Sequence, residues 1–164
     1  MESKNTSSAG TNKLKVCFLI QEWNHPASRY RVLQYIPYLK EHQIEGKAVL
    51  FPDSFIGWMK FFSEIRDHDI VFVQKKRLWH WQLWYIKRKH IGIIYDFDDA
   101  VMFKSPVDGG GKSFKRKRTF ARMVRYSNLI IAGNHYLKAQ ALPYNKNITI
   151  IPTAIDTSKY TMKD

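Results

Sequence analysis

A chain with a single cysteine cannot close an internal disulfide, and the one here, Cys17, lies in the apolar run KVCFLI. A buried thiol in a reducing compartment is the simplest reading. Long apolar runs are also missing. No uninterrupted stretch approaches the roughly 20 residues that span a bilayer, and the first twelve residues, MESKNTSSAGTN, lack the apolar core of a signal peptide. We therefore expect a cytoplasmic chain with a disordered tail over residues 1–12. The glycine fingerprint G-x-G-x-x-G is absent, which removes direct support for a nicotinamide or flavin dinucleotide. His25, His80 and His135 stand apart without metal-ligand spacing, and no internal repeat is visible. Acids are scarce too, 14 Asp and Glu against 27 Lys and Arg, and after Asp108 only Asp156 and Asp164 follow.

The formal net charge of +13 points to anionic partners: nucleic acid, acidic lipid headgroups or a phosphorylated substrate. With 45% hydrophobic and 15% aromatic residues, 164 residues suffice for one compact core. From Leu14 onwards, short apolar runs alternate with segments of helical period. Strands are expected at Lys15 to Ile20, Lys47 to Phe51, Ile70 to Val73, Gly92 to Tyr95, Leu129 to Ala132 and Ile148 to Ile151. Helices are expected at Ser28 to His42, kinked at Pro37, then Ser54 to Asp67, Leu78 to His90, Ser113 to Tyr126 and His135 to Leu142, with Ser28 and Asn134 as caps. This alternation predicts an α/β fold: a Rossmann-like, doubly wound, mainly parallel sheet of about six strands with helices on both faces.

In such a layer ligands sit beyond the carboxyl ends of the strands. Three carboxylates, Asp96, Asp98 and Asp99 in YDFDDA, fall there, on the edge shared with QEWNHPASRYR after the first strand and AGN after the fifth. Closely spaced carboxylates suit magnesium or an aspartyl-phosphate hydrolase. That hydrolase pattern needs further acids downstream, which this chain lacks, so no metal is assigned. The plainer reading is that the carboxylates pair with basic neighbours at a strand end. In the first turn, Ser28, Arg29 and Arg31 combine donors and cations suited to a phosphate, or form a solvated helix face. RLWHWQLWYIKRKH sets Trp79, Trp81 and Trp84 among cations, as a membrane-surface helix does, while burial of Trp81, Trp84 and Tyr85 is the competing reading. From Lys112 to Arg125 no acid interrupts a basic run that contains Lys115, Arg116, Lys117 and Arg118, a contact surface for anionic lipid or nucleic acid.

Taken in order, PASRYRVLQYIPYLKE, DIVFVQK, IIYDFDDAVMF, SNLIIAGNHYLKAQA and IPTAIDTSKY resemble the N-terminal half of family 4 glycosyltransferases of the GT-B type, from Leu14 to Tyr160. The specific parts are YDFDDAV, AGNHYL and PTAIDTSKY; the rest is generic sheet and helix. The resemblance implies a retaining, two-domain hexosyltransferase that uses a nucleotide sugar as co-substrate, with no cofactor and no metal. Residues 13–152 would be its acceptor-side domain and residues 153–164 the start of an interdomain linker. The donor-binding domain with its Glu-x7-Glu element is not in this sequence, so the chain alone is expected to be inactive. Ser28, Arg29 and Arg31 would then approach the donor phosphates. Asp98 stands where many relatives carry a histidine, and Asp96 or Asp99 does so by a one-residue shift. Asp98 would be the catalytic carboxylate, with Asp96, Asp99 and Asn134 binding the acceptor. That acceptor would be a glycan or lipid-linked sugar of cell-envelope polysaccharide synthesis, met by a domain peripheral to the inner face of the membrane. The alternative class is a basic Rossmann-like module that binds nucleic acid or another polyanion without catalysis.

Overall fold

A computed structural model describes residues 13–104 and 110–155. The expected N-terminal tail and residues 156–164 of the expected linker lie outside the described residues. The elements run β1 (Leu14–Ile20), α1 (Pro26–Arg31), α2 (Ile36–Glu41), β2 (Ile44–Leu50), α3 (Phe55–Glu64), β3 (Ile70–Gln74), α4 (His80–Arg88), β4 (Gly92–Phe97), α5 (Phe114–Tyr126), β5 (Leu129–Ala132), α6 (His135–Ala141) and β6 (Ile148–Ile150). The six strands form one sheet in the order β2-β1-β3-β4-β5-β6, and every pairing is parallel. This is the Rossmann-like α/β layer that the alternation predicts.

The topology decides which face each helix covers. From β1 the chain steps outward to β2, then returns across β1 to β3 and continues in one direction to β6. Right-handed crossovers therefore place α2 on one face and α3 to α6 on the other. The larger core accordingly joins Cys17 and Leu19 of β1, Val71 and Val73 of β3, and Ile93, Tyr95 and Phe97 of β4 to residues of α3 to α6. Alternate residues Val16, Phe18 and Ile20, with Phe72, face the thinner side beneath Val32, Leu33, Ile36 and Leu39. Because both faces are at least partly covered, the central strands read as continuous apolar runs instead of alternating ones.

Two helical expectations change in the structure. The segment 28–42 is not one kinked helix: α1 ends at Val32 (φ −131°), a 3₁₀ turn follows over Leu33–Tyr35, and Pro37 lies in the first turn of α2, where its missing N–H costs nothing. Ser28 is not the cap of α1. The helix begins at Pro26, and His25 caps it by accepting from the Ala27 N–H at Nδ1, 3.2 Å. Asn134 does cap α6, its side-chain oxygen accepting from the Leu137 N–H at 2.9 Å.

Candidate functional site

The strand order reverses between β1 and β3, so the loops that leave these strands diverge and open a crevice at the carboxyl edge. The three carboxylates stand at this edge, and each meets a cation. Asp96, 1% exposed, accepts from Arg31 Nε at 3.1 Å and 2.9 Å on its two oxygens and again from Nη2. The other terminal nitrogen of Arg31 donates to the Ile151 carbonyl and to Thr153 Oγ1, both at 3.0 Å. One guanidinium thus ties α1, β4 and the segment after β6 together. Burial drives the Asp96 carboxyl above its ordinary range, against the opposing pull of Arg31. On Arg31 burial is again the largest single effect and lowers the pKa, but the hydrogen bond to Asp96 and the charges of Asp96 and Asp98 together outweigh it, and the pKa rises. The forked geometry is that of a charged pair.

Asp98 and Asp99 share Lys75. The Lys75 ammonium lies 2.9 Å from Asp98 Oδ1 and 2.6 Å from Asp99 Oδ2, with the Asp98 side chain 20% and the Asp99 side chain 70% exposed. Burial disfavours the ammonium, but the bonds to Asp99 and Asp98 outweigh it and its pKa is raised. Lys75 has a left-handed backbone, φ 54°, costly for a side chain of this kind. The surroundings hold it there: its N–H donates to the Asp96 carbonyl at 2.8 Å, and the Tyr95 hydroxyl donates to its carbonyl at 3.0 Å. Gly133 supports Asp98 from the neighbouring strand end. A Cβ at 133 would lie 2.9 Å from the Asp98 Cα, so only glycine lets the two strand ends approach this closely.

The remaining expected residues fall into place around this centre. Ser28 is fully buried and donates to Gln74 Oε1 at 3.0 Å, linking α1 to the end of β3. Of the three residues assigned to phosphate, only Arg29 is exposed, its guanidinium 5.4 Å from the Tyr30 ring. Asn134 is exposed beside the strand ends while capping α6.

A cleft of about 260 Å³ opens next to Lys75, lined by Gln21 and His25 of the first loop, Lys76 and Arg77 of the third, and Asp99 and Arg116. Sequence reasoning missed Lys75, Lys76 and Arg77, although a basic triplet directly after VFVQ, at the carboxyl end of the third strand, is a readable signal. Among the described residues no group of three or more His, Cys, Asp or Glu side chains is arranged to hold a metal ion.

The competing expectation that Trp81 and Trp84 are buried is not met. Trp79, Trp81 and Trp84 are all exposed: Trp79 and Trp84 stand out most, with Arg88 5.3 Å over the Trp84 ring, while Trp81, 41% exposed, also leans on Phe55, Trp58 and Phe62 with ring centroids at 6.0, 6.2 and 5.7 Å. Tyr85 stacks on Phe62 at 4.1 Å and joins the core margin. In α5, Lys115, Lys117 and Arg118 are exposed, while Arg116 turns to the cleft and donates to the Phe103 carbonyl at 3.1 Å. Among the described residues no helix is long and apolar enough to cross a membrane.

Fold and crevice together define a Rossmann-like layer with an open carboxyl edge at its switch point. No protein-family model matches the sequence, and no curated protein matches it. Solved structures do match its fold. Anabaena HepE in complex with UDP and glucose superposes at TM-score 0.60 with 15% identity, over 92% of this chain and 47% of that one. HepE with UDP gives TM-score 0.59 and 14% identity over 88% and 45%, and HepE with UDP-glucose 0.55 and 15% over 92% and 46%. The chain spans about half the length of these structures.

Proposed function

We propose that this chain is the acceptor-side half of a GT-B glycosyltransferase that moves a sugar from a nucleotide sugar to a glycan or lipid-linked acceptor. The observation that carries the reading is Asp98. It is a part-exposed carboxylate held by Lys75 at the open carboxyl edge of a sheet whose fold is shared with HepE, which binds UDP and glucose. In this reading Asp98 accepts a hydrogen bond from the attacking acceptor hydroxyl and orients it. Lys75 holds that carboxylate in place through its ion pair, and Asp99 and Asn134 bind neighbouring hydroxyls. Asp96 and Ser28, whose oxygens are committed inside the fold, position the site through Arg31 and Gln74 instead of touching the acceptor. Arg29 is the first-loop cation free to approach the donor diphosphate. Preorganised cations of this kind stabilise developing phosphate charge without a metal.

The donor's remaining contacts belong to a second, donor-binding domain. Transition-state binding is divided between the two halves, so this chain alone transfers no sugar. The test is Asp98→Asn in the two-domain enzyme. Loss of an orienting carboxylate lowers kcat/KM by about 100-fold or more, with donor affinity retained; an unchanged kcat/KM would overturn the assignment.

A further inference from the structure

The cleft beside Lys75 has a charge balance that the carboxylate cluster does not account for. Four cations, Lys75, Lys76, Arg77 and Arg116, line it against one carboxylate, Asp99. Lys75 is spent on Asp98 and Asp99. Arg77 is not spent in that way: it is half-buried, its Nη1 donates to the Val101 carbonyl, and no ion pair joins it to a carboxylate among the described residues. A guanidinium carries five N–H donors in a fork shaped for two oxygens of one anion. Burial lowers its pKa, Tyr95 opposes that, and the Arg116 charge adds the smallest effect, a lowering one. A half-buried guanidinium with no carboxylate partner among the described residues carries a desolvation cost that a bound anion would offset. Lys76 reaches the same space from an exposed position, its ammonium 5.1 Å over the Phe51 ring.

We propose that this cleft is an anion subsite that takes the phosphate or diphosphate ester of the acceptor, with Arg77 and Lys76 as its principal contacts. The inference rests on the glycosyltransferase reading and narrows its substrate class from any glycan to a sugar phosphate. One feature favours the acceptor over the donor as the source: the cleft shares Asp99 with the carboxylate centre, so a ligand with its phosphate on Arg77 brings its sugar hydroxyls towards that centre.

Isothermal titration of the 164-residue chain with inorganic pyrophosphate at low salt tests the subsite. Saturable binding is expected, weakened at least tenfold in Arg77→Met and several-fold in Lys76→Gln, a surface change that leaves folding intact, while Arg118→Gln stays within twofold. Glucose 1-phosphate should bind and methyl glucoside should not. Tighter binding of farnesyl diphosphate than of pyrophosphate assigns the ester to a lipid-linked acceptor, and equal binding assigns it to a soluble sugar phosphate; both support the subsite. Absence of pyrophosphate binding, or equal loss in Arg118→Gln, overturns it. UDP binding tenfold tighter than pyrophosphate and abolished by Arg77→Met gives the cleft to the donor and overturns the acceptor assignment. The two readings fail separately. If pyrophosphate does not bind while Asp98→Asn still slows the two-domain enzyme, the subsite falls and glycosyl transfer stands. An unaffected Asp98→Asn enzyme together with intact pyrophosphate binding shows the reverse.

Discussion

Arg31 is the residue on which most of the site geometry depends, because it is bonded at once to Asp96, Ile151 and Thr153. Asp96 is 1% exposed, so bulk solvent does not reach it to replace a lost partner. A buried carboxylate left without its cation is a severe defect, worth about 3–5 kcal/mol when one member of such a pair is removed. Arg31→Met should therefore lower the unfolding free energy from urea titration by an amount in that range, whereas Arg31→Met combined with Asp96→Leu should regain much of it, since the uncompensated charge is gone. A single variant within about 1 kcal/mol of the parent would show that the pair is not what holds the strand end. Arg29, two residues earlier but exposed, should cost little in the same experiment.

At the scale of elements, β1 is the strand with most at stake, flanked by β2 and β3 and covered on both faces. Its Cys17 is fully buried, and burial, helped by the Glu64 charge and opposed by Lys47, pushes the thiol up to about 12. An unfolded cysteine ionises near 8.5. The folded chain thus holds the proton that the unfolded chain gives up. This contribution is fully present below about pH 8.5 and is lost progressively as the pH rises towards 12, at about 1.4 kcal/mol per unit. Between pH 7.5 and 10 the urea midpoint should fall less in Cys17→Val than in the parent, and an equal fall in the two would show that burial does not hold the proton on the thiol. The strands were legible in the sequence for the same reason that Cys17 is buried: parallel strands covered on both faces leave unbroken apolar runs. Helix starts were less so, since His25 and Pro26 compete with Ser28 as the signal and only packing decides between them. The carboxylates could be placed from the rule that ligands sit at strand ends. Their partners could not, because Arg31 reaches Asp96 across 65 residues and Lys75 gains its reach from a left-handed turn that no local pattern announces.

The whole molecule presents two surfaces that its core does not explain. Around α3 and α4, Phe55 and Ile56 are each 69% exposed, Trp79 64% and Trp84 53%, and Trp81 links the two helices by packing against Phe55 and Trp58. Near the site, α5 carries Lys115, Lys117 and Arg118 in solvent while Arg116 lines the cleft. We propose that these surfaces act together on a membrane, the rings entering the headgroup region and the cations meeting anionic lipid at about 1 kcal/mol each. Several such contacts give reversible association, and the cation that borders the cleft would keep its mouth near a lipid-borne substrate. The competing account is that exposed cations merely keep the chain in solution and that the rings await another part of a larger protein. Sedimentation with liposomes distinguishes the two. Membrane contact requires binding that rises with the fraction of anionic lipid, falls with salt, weakens when Lys115, Lys117 and Arg118 are changed to Gln, and weakens again in Trp84→Ser. Equal partition onto neutral and anionic vesicles would remove the cations' contact with anionic lipid from the account, and none onto either would remove the membrane and leave the aromatic surface to a protein partner.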